Sequence, residues 1–370
     1  MRKLIVALAC TLMLAGCSTK QIKITKSQGV GFTQKQADAS EQTTALTKFL
    51  TRKFVRTDGV ITNIGGAKSG TTTAAGNEYL SESSGLWLLH LVNTKQYAQF
   101  RAFYRATKKV LYNGKTFSYR YDPAKKKRYK VNASVDDLRI MRALIAYDEA
   151  TGSKHYHAEL QTIYSNWAAV CLDGGHLRNF YDNRSREASD TSSLAFYDLQ
   201  TLGYLQGDTK AYRNQLRIVR AGYLGDALPL YASAYDWSGQ TYSSKDLNTS
   251  EALETLLELA RVGKMRTASH AWLVQQLQAK DLPNSFSTTG AVCDANQSVA
   301  NWALVAQIFA TEHDAKHYDQ TMRLIWRQQV TKAGSLHGGF GDPVTGKAYS
   351  YSNLNILLAA EARGQAHADN

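Results

Sequence analysis

The chain has 370 residues, 44% of them hydrophobic and 20% charged, with 26 Gly and 4 Pro, which excludes a disordered or collagen-like protein. It is long enough for a core that needs no disulfide or metal staples, and its four Cys, at positions 10, 17, 171 and 293, include no CxxC pair, which excludes a zinc ribbon or a disulfide scaffold. The net charge of +13 suits anionic surroundings.

Residues 1–16 read as an address. Arg2 and Lys3 precede an apolar run over 4–14, then Ala15-Gly16-Cys17. A basic start, a short apolar run and small residues are the parts of a secretory signal. The run is too short to span a bilayer as a stable helix. Leu14-Ala15-Gly16-Cys17 resembles a bacterial lipobox, in which Cys17 is acylated and becomes the mature N-terminus. Residues 17–40, rich in Ser, Thr, Gln and Lys, then form a tether, and 41–370 form a single domain held at the extracytoplasmic face of the cell membrane. Outside the cytoplasm Cys171 and Cys293 could pair or stay as two thiols, and the sequence leaves both open. A monomer is expected.

Helical periodicity dominates the domain. It predicts helices over 41–55, 79–93, 96–110, 135–150, 155–170, 191–206, 210–222, 249–262, 267–279, 296–311, 316–329 and 351–364. A junction motif recurs as Lys95-Gln96-Tyr97, Lys154-His155-Tyr156, Lys210-Ala211-Tyr212 and Lys316-His317-Tyr318, with Lys264 in the fourth of five places. The Lys positions advance by 59, 56, 54 and 52 residues, the length of a helical hairpin plus a loop. Short turns at these junctions alternate with long connections over 56–78, 111–134, 171–190, 223–248, 280–295 and 330–350. Six such hairpins closing on themselves make an all-α (α/α)6 barrel, with all long loops at one end. The even helices form the inner ring and start under those loops, where a site belongs.

That end collects acids and aromatics. Glu82, Asp136, Asp137, Asp190, Asp246, Glu251 and Asp294 lie at or near the starts of the even helices. Tyr181, Tyr235, Trp237, Tyr242 and Tyr351 lie in or beside the loops. Helix capping accounts for any single acid. Several acids with a ring of aromatics on one rim suit a sugar polymer, since flat rings stack on sugars and two carboxyls can hydrolyse a glycosidic bond.

Ser81-Glu82-Ser83-Ser84-Gly85 resembles the SExxG segment of family 8 glycoside hydrolases, whose Glu is the general acid. Ala133-Ser134-Val135-Asp136-Asp137-Leu138-Arg139-Ile140 aligns without gaps to that family's A-S/T-D-A/G-D-x-x-I/M signature. Gly338 to Asn355 resembles the closing segment of a Gram-positive lipoprotein branch. The resemblance covers nearly all of 41–364 and implies the (α/α)6 barrel. It implies an inverting, endo-acting hydrolase of a β-linked polysaccharide such as glucan, chitosan, xylan or an exopolysaccharide. Glu82 would be the acid, Asp137 would hold a sugar hydroxyl, and Asp190 and Tyr197 would line the same subsite. Tyr235, Trp237 and Tyr351 are candidate sugar platforms. Three departures stand out. The signature's first Asp is Val135, the Gly after the family's Glu is Ser83, and the Y-D-A-x-R segment that carries the base has no clean counterpart. By order the base falls near 246–251, which makes Asp246 a candidate, with Asp236 a second.

The nine His show no HExxH or HxH spacing and no phosphate loop appears, so neither a metal nor a cofactor is expected. Lys125 to Arg128 reads as a solvated loop, with contact to an anionic polymer as the alternative, and the exported address argues against nucleic acid. A non-catalytic polysaccharide-binding or assembly lipoprotein on the same fold is the competing class, favoured by Val135 and the missing base segment. A polysaccharide lyase is a third.

Overall fold

Six of the helices bury residues on nearly every side and six bury one stripe, and this difference sorts them in space. A computed structural model describes residues 40–66 and 74–368, so the leader, Cys17 and the tether up to residue 39 lie outside the described residues. The helices run in order as α1 (Glu41–Lys53), α2 (Ser81–Asn93), α3 (Tyr97–Leu111), α4 (Ser134–Thr151), α5 (His157–Cys171) and α6 (Leu199–Gln206). They continue as α7 (Lys210–Ala221), α8 (Thr249–Arg261), α9 (Thr267–Ala279), α10 (Val299–Thr311), α11 (Ala315–Trp326) and α12 (Ser350–Glu361), with a final short helix at Arg363–Ala366.

The even helices are the deeply buried set. α10 buries every residue from Ala300 to Ala310, and α12 every residue from Asn353 to Glu361. They pack in a ring: α2 on α4, α4 on α6, α6 on α8, α8 on α10, α10 on α12 and α12 back on α2. The odd helices lie outside, each burying one stripe, such as Phe100, Phe103, Tyr104 and Thr107 of α3. The structure is therefore the (α/α)6 barrel that the hairpin repeat predicts. No described helix is long and apolar enough to cross a membrane.

Short turns close one end. Gly152, in the left-handed region at φ 62°, ends α4 with its N–H on the carbonyls of Asp148 and Glu149. The long connections cover the other end and fold into small sheets of two or three short antiparallel strands. Tyr79–Leu80 pairs with Arg120–Asp122, and Ala234–Asp236 lies between Thr191–Ser193 and Thr241–Tyr242.

The sixth helix corrects the sequence reading. Over 191–206 the chain first forms the strand Thr191–Ser193 and a 3₁₀ turn at Leu194–Phe196, and α6 begins only at Leu199. Thr, Ser and Ser are poor helix starters that pair with neighbouring backbone, whereas Asp198 caps the helix by accepting from the Thr201 N–H at 2.8 Å. Cys171 is buried and Cys293 exposed, and both are free thiols.

The seam between the first and last inner helices is polar and buried. Ser83 of α2 and Ser350 of α12 share a hydrogen bond of 2.8 Å, so the residue that departs from the family's Gly stitches the ring closed. Lower down, His90 Nδ1 meets Glu361 Oε1 at 2.5 Å, and Asn93 donates to Glu361 Oε2 at 2.7 Å. Both His90 and Glu361 are almost fully buried. Removing one partner strands the other away from water. Glu361→Ala is expected to cost about 3 kcal/mol of folding stability, measured as a lowered midpoint in urea denaturation.

Candidate active site

The chain enters α2 from the strand Tyr79–Leu80, and Leu80 at the cap position offers no side-chain acceptor to the first turn. The acceptor comes from the next inner helix. Asp136 of α4 accepts from Ser81 Oγ at 2.7 Å and from the backbone N–H of Glu82. Glu82 is thus held at the mouth by a carboxylate that caps its helix from across the packing interface.

Arg139 lies one turn below Asp136 and binds its Oδ1 at 3.0 Å. The same guanidinium reaches Glu254 of α8 at 3.5 Å. Glu254 in turn accepts from the Tyr351 hydroxyl of α12 at 2.7 Å. Gly85 makes room for this arrangement, since a Cβ there would sit 3.2 Å from Arg139 Cγ. The small residue in Ser-Glu-Ser-Ser-Gly therefore lets the arginine stem pass α2. Four inner helices converge on one arginine shared by carboxyls.

Electrostatics follow from this crowding. Burial, and then the charge of Asp136, push the Glu82 carboxyl up to about 8, although Arg139 pulls the other way. Burial also raises Asp136, against Arg139 and the Ser81 hydrogen bond. Arg139 is held above its ordinary value against its own burial by Glu254, Asp136 and Glu82. Burial and Glu254 raise the Tyr351 hydroxyl well above the usual range. Glu82 is therefore a carboxylic acid that keeps its proton near neutral pH, the state a general acid needs.

Under this layer a small cavity of about 50 Å³ runs into the barrel between Val135, Arg139, Glu254 and a second charged layer. There Arg142 binds Asp198 through Nε at 2.9 Å and Nη2 at 2.5 Å, and Glu258 at 2.9 Å. Arg261 closes the group on Glu258. Burial opposes ionisation of Asp198, but Arg142 overrides it and holds the carboxyl down at about 2.

Solved structures share this arrangement of helices. A protein described as a novel alpha-amylase from Clostridium perfringens is 22% identical, with 88% of this chain matched to 98% of that one at a TM-score of 0.80. PssZ from Listeria monocytogenes is 18% identical over 88% of this chain and 97% of its own, at 0.67. Endoglucanase Cel10 from Klebsiella pneumoniae, a family 8 glycosyl hydrolase, is 16% identical over 86% and 99%, at 0.58. The chain has the family 8 glycoside hydrolase fold. No protein-family model matches it, and no curated protein matches it in sequence.

Within this fold the predicted site residues part company. Glu82 and Tyr351 come together at the central cluster. Asp137 does not join them. It is fully buried and accepts from the Phe117 N–H at 2.7 Å and Asn132 Nδ2 at 2.6 Å, which anchors the loop before α4. Burial raises its carboxyl well above the usual range. Asp190 is exposed on a loop, 3.8 Å from Arg178. Tyr197 is fully buried and presents no ring to a ligand. Asp236 accepts from the Ser238 and Gly239 N–H groups at 2.8 and 3.2 Å, capping its own hairpin turn. Asp246 is exposed in the loop ahead of α8, beside Cys293. Trp237 stacks on His176 with centroids 3.6 Å apart and donates to Ser192 Oγ at 2.6 Å, while Tyr235 meets its edge, so these two belong to an aromatic patch with His176.

Arg139 and Glu254 were not among the predicted site residues. The signal for them is charge on a helix that is otherwise buried. Asp136, Arg139 and Arg142 follow one face of α4, and Glu251, Glu254, Glu258 and Arg261 follow one face of α8.

The raised Glu82 value has a consequence for stability. The folded chain keeps this proton up to about pH 8, whereas an unfolded Glu releases it near 4.5. The folded state binds the extra proton across that window, so its stability falls as pH rises through it. Glu82→Gln cannot ionise. The variant is expected to gain stability over wild type between pH 4.5 and 8, with the gap constant above, in urea midpoints taken across that range.

Proposed function

We propose that this chain is an endo-acting glycoside hydrolase that cleaves a polysaccharide by single displacement with inversion. The observation that carries this reading is Glu82, a carboxyl raised to about 8 at the mouth of an (α/α)6 barrel and fixed in place by Asp136. Glu82 protonates the leaving glycosidic oxygen. Asp136 holds its position and, with burial, raises its proton affinity, and Arg139 limits that rise.

The base in this reading comes from α8, which stands across the ring from α2. Glu254 is already committed to Arg139 and Tyr351. Glu251 stands one turn nearer the mouth, where water enters, and burial followed by the charge of Glu254 pushes its carboxyl up. A raised carboxylate on the opposite wall suits a base that activates water on the far sugar face. Facing walls also suit the wider separation of carboxyls, about 6.5–9.5 Å, that inversion requires. Glu251 is itself exposed to solvent at the mouth, and Asp246 is the weaker base because it lies in the loop ahead of α8, as Asp236 is because it caps a turn.

A β-linked glucan or xylan is the first substrate class, by resemblance to the family and by the named activities of several neighbours, among them an endo-beta-1,4-glucanase from Acetobacter xylinum. An α-linked glucan is the second, favoured by the alpha-amylase at a TM-score of 0.80. The lipobox at Cys17 supports tethering of the enzyme to the outer face of the cell membrane.

The test is reducing-end release from β-glucans, xylan, chitosan, starch and the producing cell's own exopolysaccharide. Glu82→Gln is expected to lose about 10²–10⁴ in kcat with its fold intact, and Glu251→Gln a comparable factor. Proton NMR of the first product is expected to show inverted anomeric configuration. Polymer retention without new reducing ends would instead identify a binding lipoprotein.

A further inference from the structure

We propose that the outer wall of the barrel carries a second binding groove, for an anionic sugar polymer, between the C-terminal ends of α9 and α11. The groove holds about 280 Å³, and Lys280, Arg323 and Arg327 line it together with two glutamines and two leucines. No carboxylate lines it. Arg323, in the last turn of α11, and its C-cap residue Arg327 are four residues apart and share one side of the helix end. Lys280 faces them from the end of α9, where its backbone turns left-handed at φ 54°.

Cations at helix C-termini complement the helix dipole, and that alone would place one at each end. It does not call for three around one open groove without an acid. Like charges gathered in this way repel, and an anion seated among them removes the repulsion. The floor adds a second requirement. Leu277 is buried and Leu324 partly so, which offers an apolar surface to the carbon face of a sugar ring. The Gln278 and Gln320 amides supply partners for hydroxyls. The volume is at the low end of small-molecule clefts, about 300 Å³, and suits one or two sugar units. A uronate residue, with a carboxylate on a sugar ring, has the chemistry that matches.

The position favours a polymer. Odd helices run toward the long-loop end, so the C-termini of α9 and α11 lie at the same end of the barrel as Glu82. A chain leaving the mouth over the loop between α9 and α10 meets the groove on the outer wall. This inference rests on the reading of the barrel as a polysaccharide enzyme, and it adds a charged component to the substrate.

The experiment uses the full-length protein in affinity electrophoresis through gels containing polygalacturonate or a neutral cellulose ether. The variant is Arg323→Glu with Arg327→Glu, and a control of equal charge change at the opposite, short-turn end is Lys154→Glu with Lys264→Glu. Wild type and control are expected to be retarded by polygalacturonate in a salt-sensitive way, and the groove variant to bind about tenfold more weakly or worse. Thermal melting and cleavage of short neutral oligosaccharides are expected to be unchanged in the groove variant. Equal retardation of all three proteins, or equal loss in the control, overturns the proposal. Groove-dependent binding to phosphatidylglycerol vesicles without polygalacturonate retardation overturns it in favour of lipid headgroups. Glu82→Gln is expected to keep full retardation, so failure of the catalytic reading and failure of the groove are told apart.

Discussion

The structure around the mouth depends on one guanidinium serving two carboxylates. Arg139 binds Asp136 on its own helix and Glu254 across the barrel. Through Asp136 it fixes the first turn of α2, and through Glu254 it fixes the Tyr351 hydroxyl. A single buried cation among three acids cannot neutralise them all. The acid with no direct partner, Glu82, takes the proton instead. Its acidity is therefore a property of the surplus of carboxyls over cations in that layer, and not of Glu82's own neighbours alone.

The layer below repeats the arrangement with a different balance. Arg142 and Arg261 face Asp198 and Glu258, two cations to two acids. With charges matched, Asp198 is held ionised. This matched layer joins α4, the start of α6 and α8 by buried hydrogen bonds with fixed geometry, where an apolar filling would leave the helices free to rotate. The upper layer, with its surplus acid, rests on the rigid lower one. A site held by inner helices can keep its carboxyls in place while the loops above differ in length and sequence.

Much of this was legible in the sequence, and the parts that were not have physical reasons. The barrel was legible because each hairpin ends in a short turn of similar composition, and turn spacing survives when the helices diverge. Glu82 was legible through its flanking small residues, and the structure gives Gly85 its purpose as a gap for Arg139. Asp136 and Asp137 were not separable, because adjacent helical residues point about 100° apart and only the packing of α4 decides which one faces the mouth. Asp137 turns instead to Asn132 and the Phe117 N–H, contacts made by a loop whose path no periodicity reveals. Asp198 was missed because the preceding Thr-Ser-Ser strand reads like the start of a helix until its pairing with 234–236 is seen.

The seam has a consequence for when the site can exist. α2 and α12 are the first and last inner helices, and the ring is closed by Ser83 on Ser350 and His90 on Glu361. The acid lies on the first inner helix to be made and Tyr351 on the last of the six. A growing chain thus carries Glu82 past the making of four further inner helices before the wall that completes its surroundings exists.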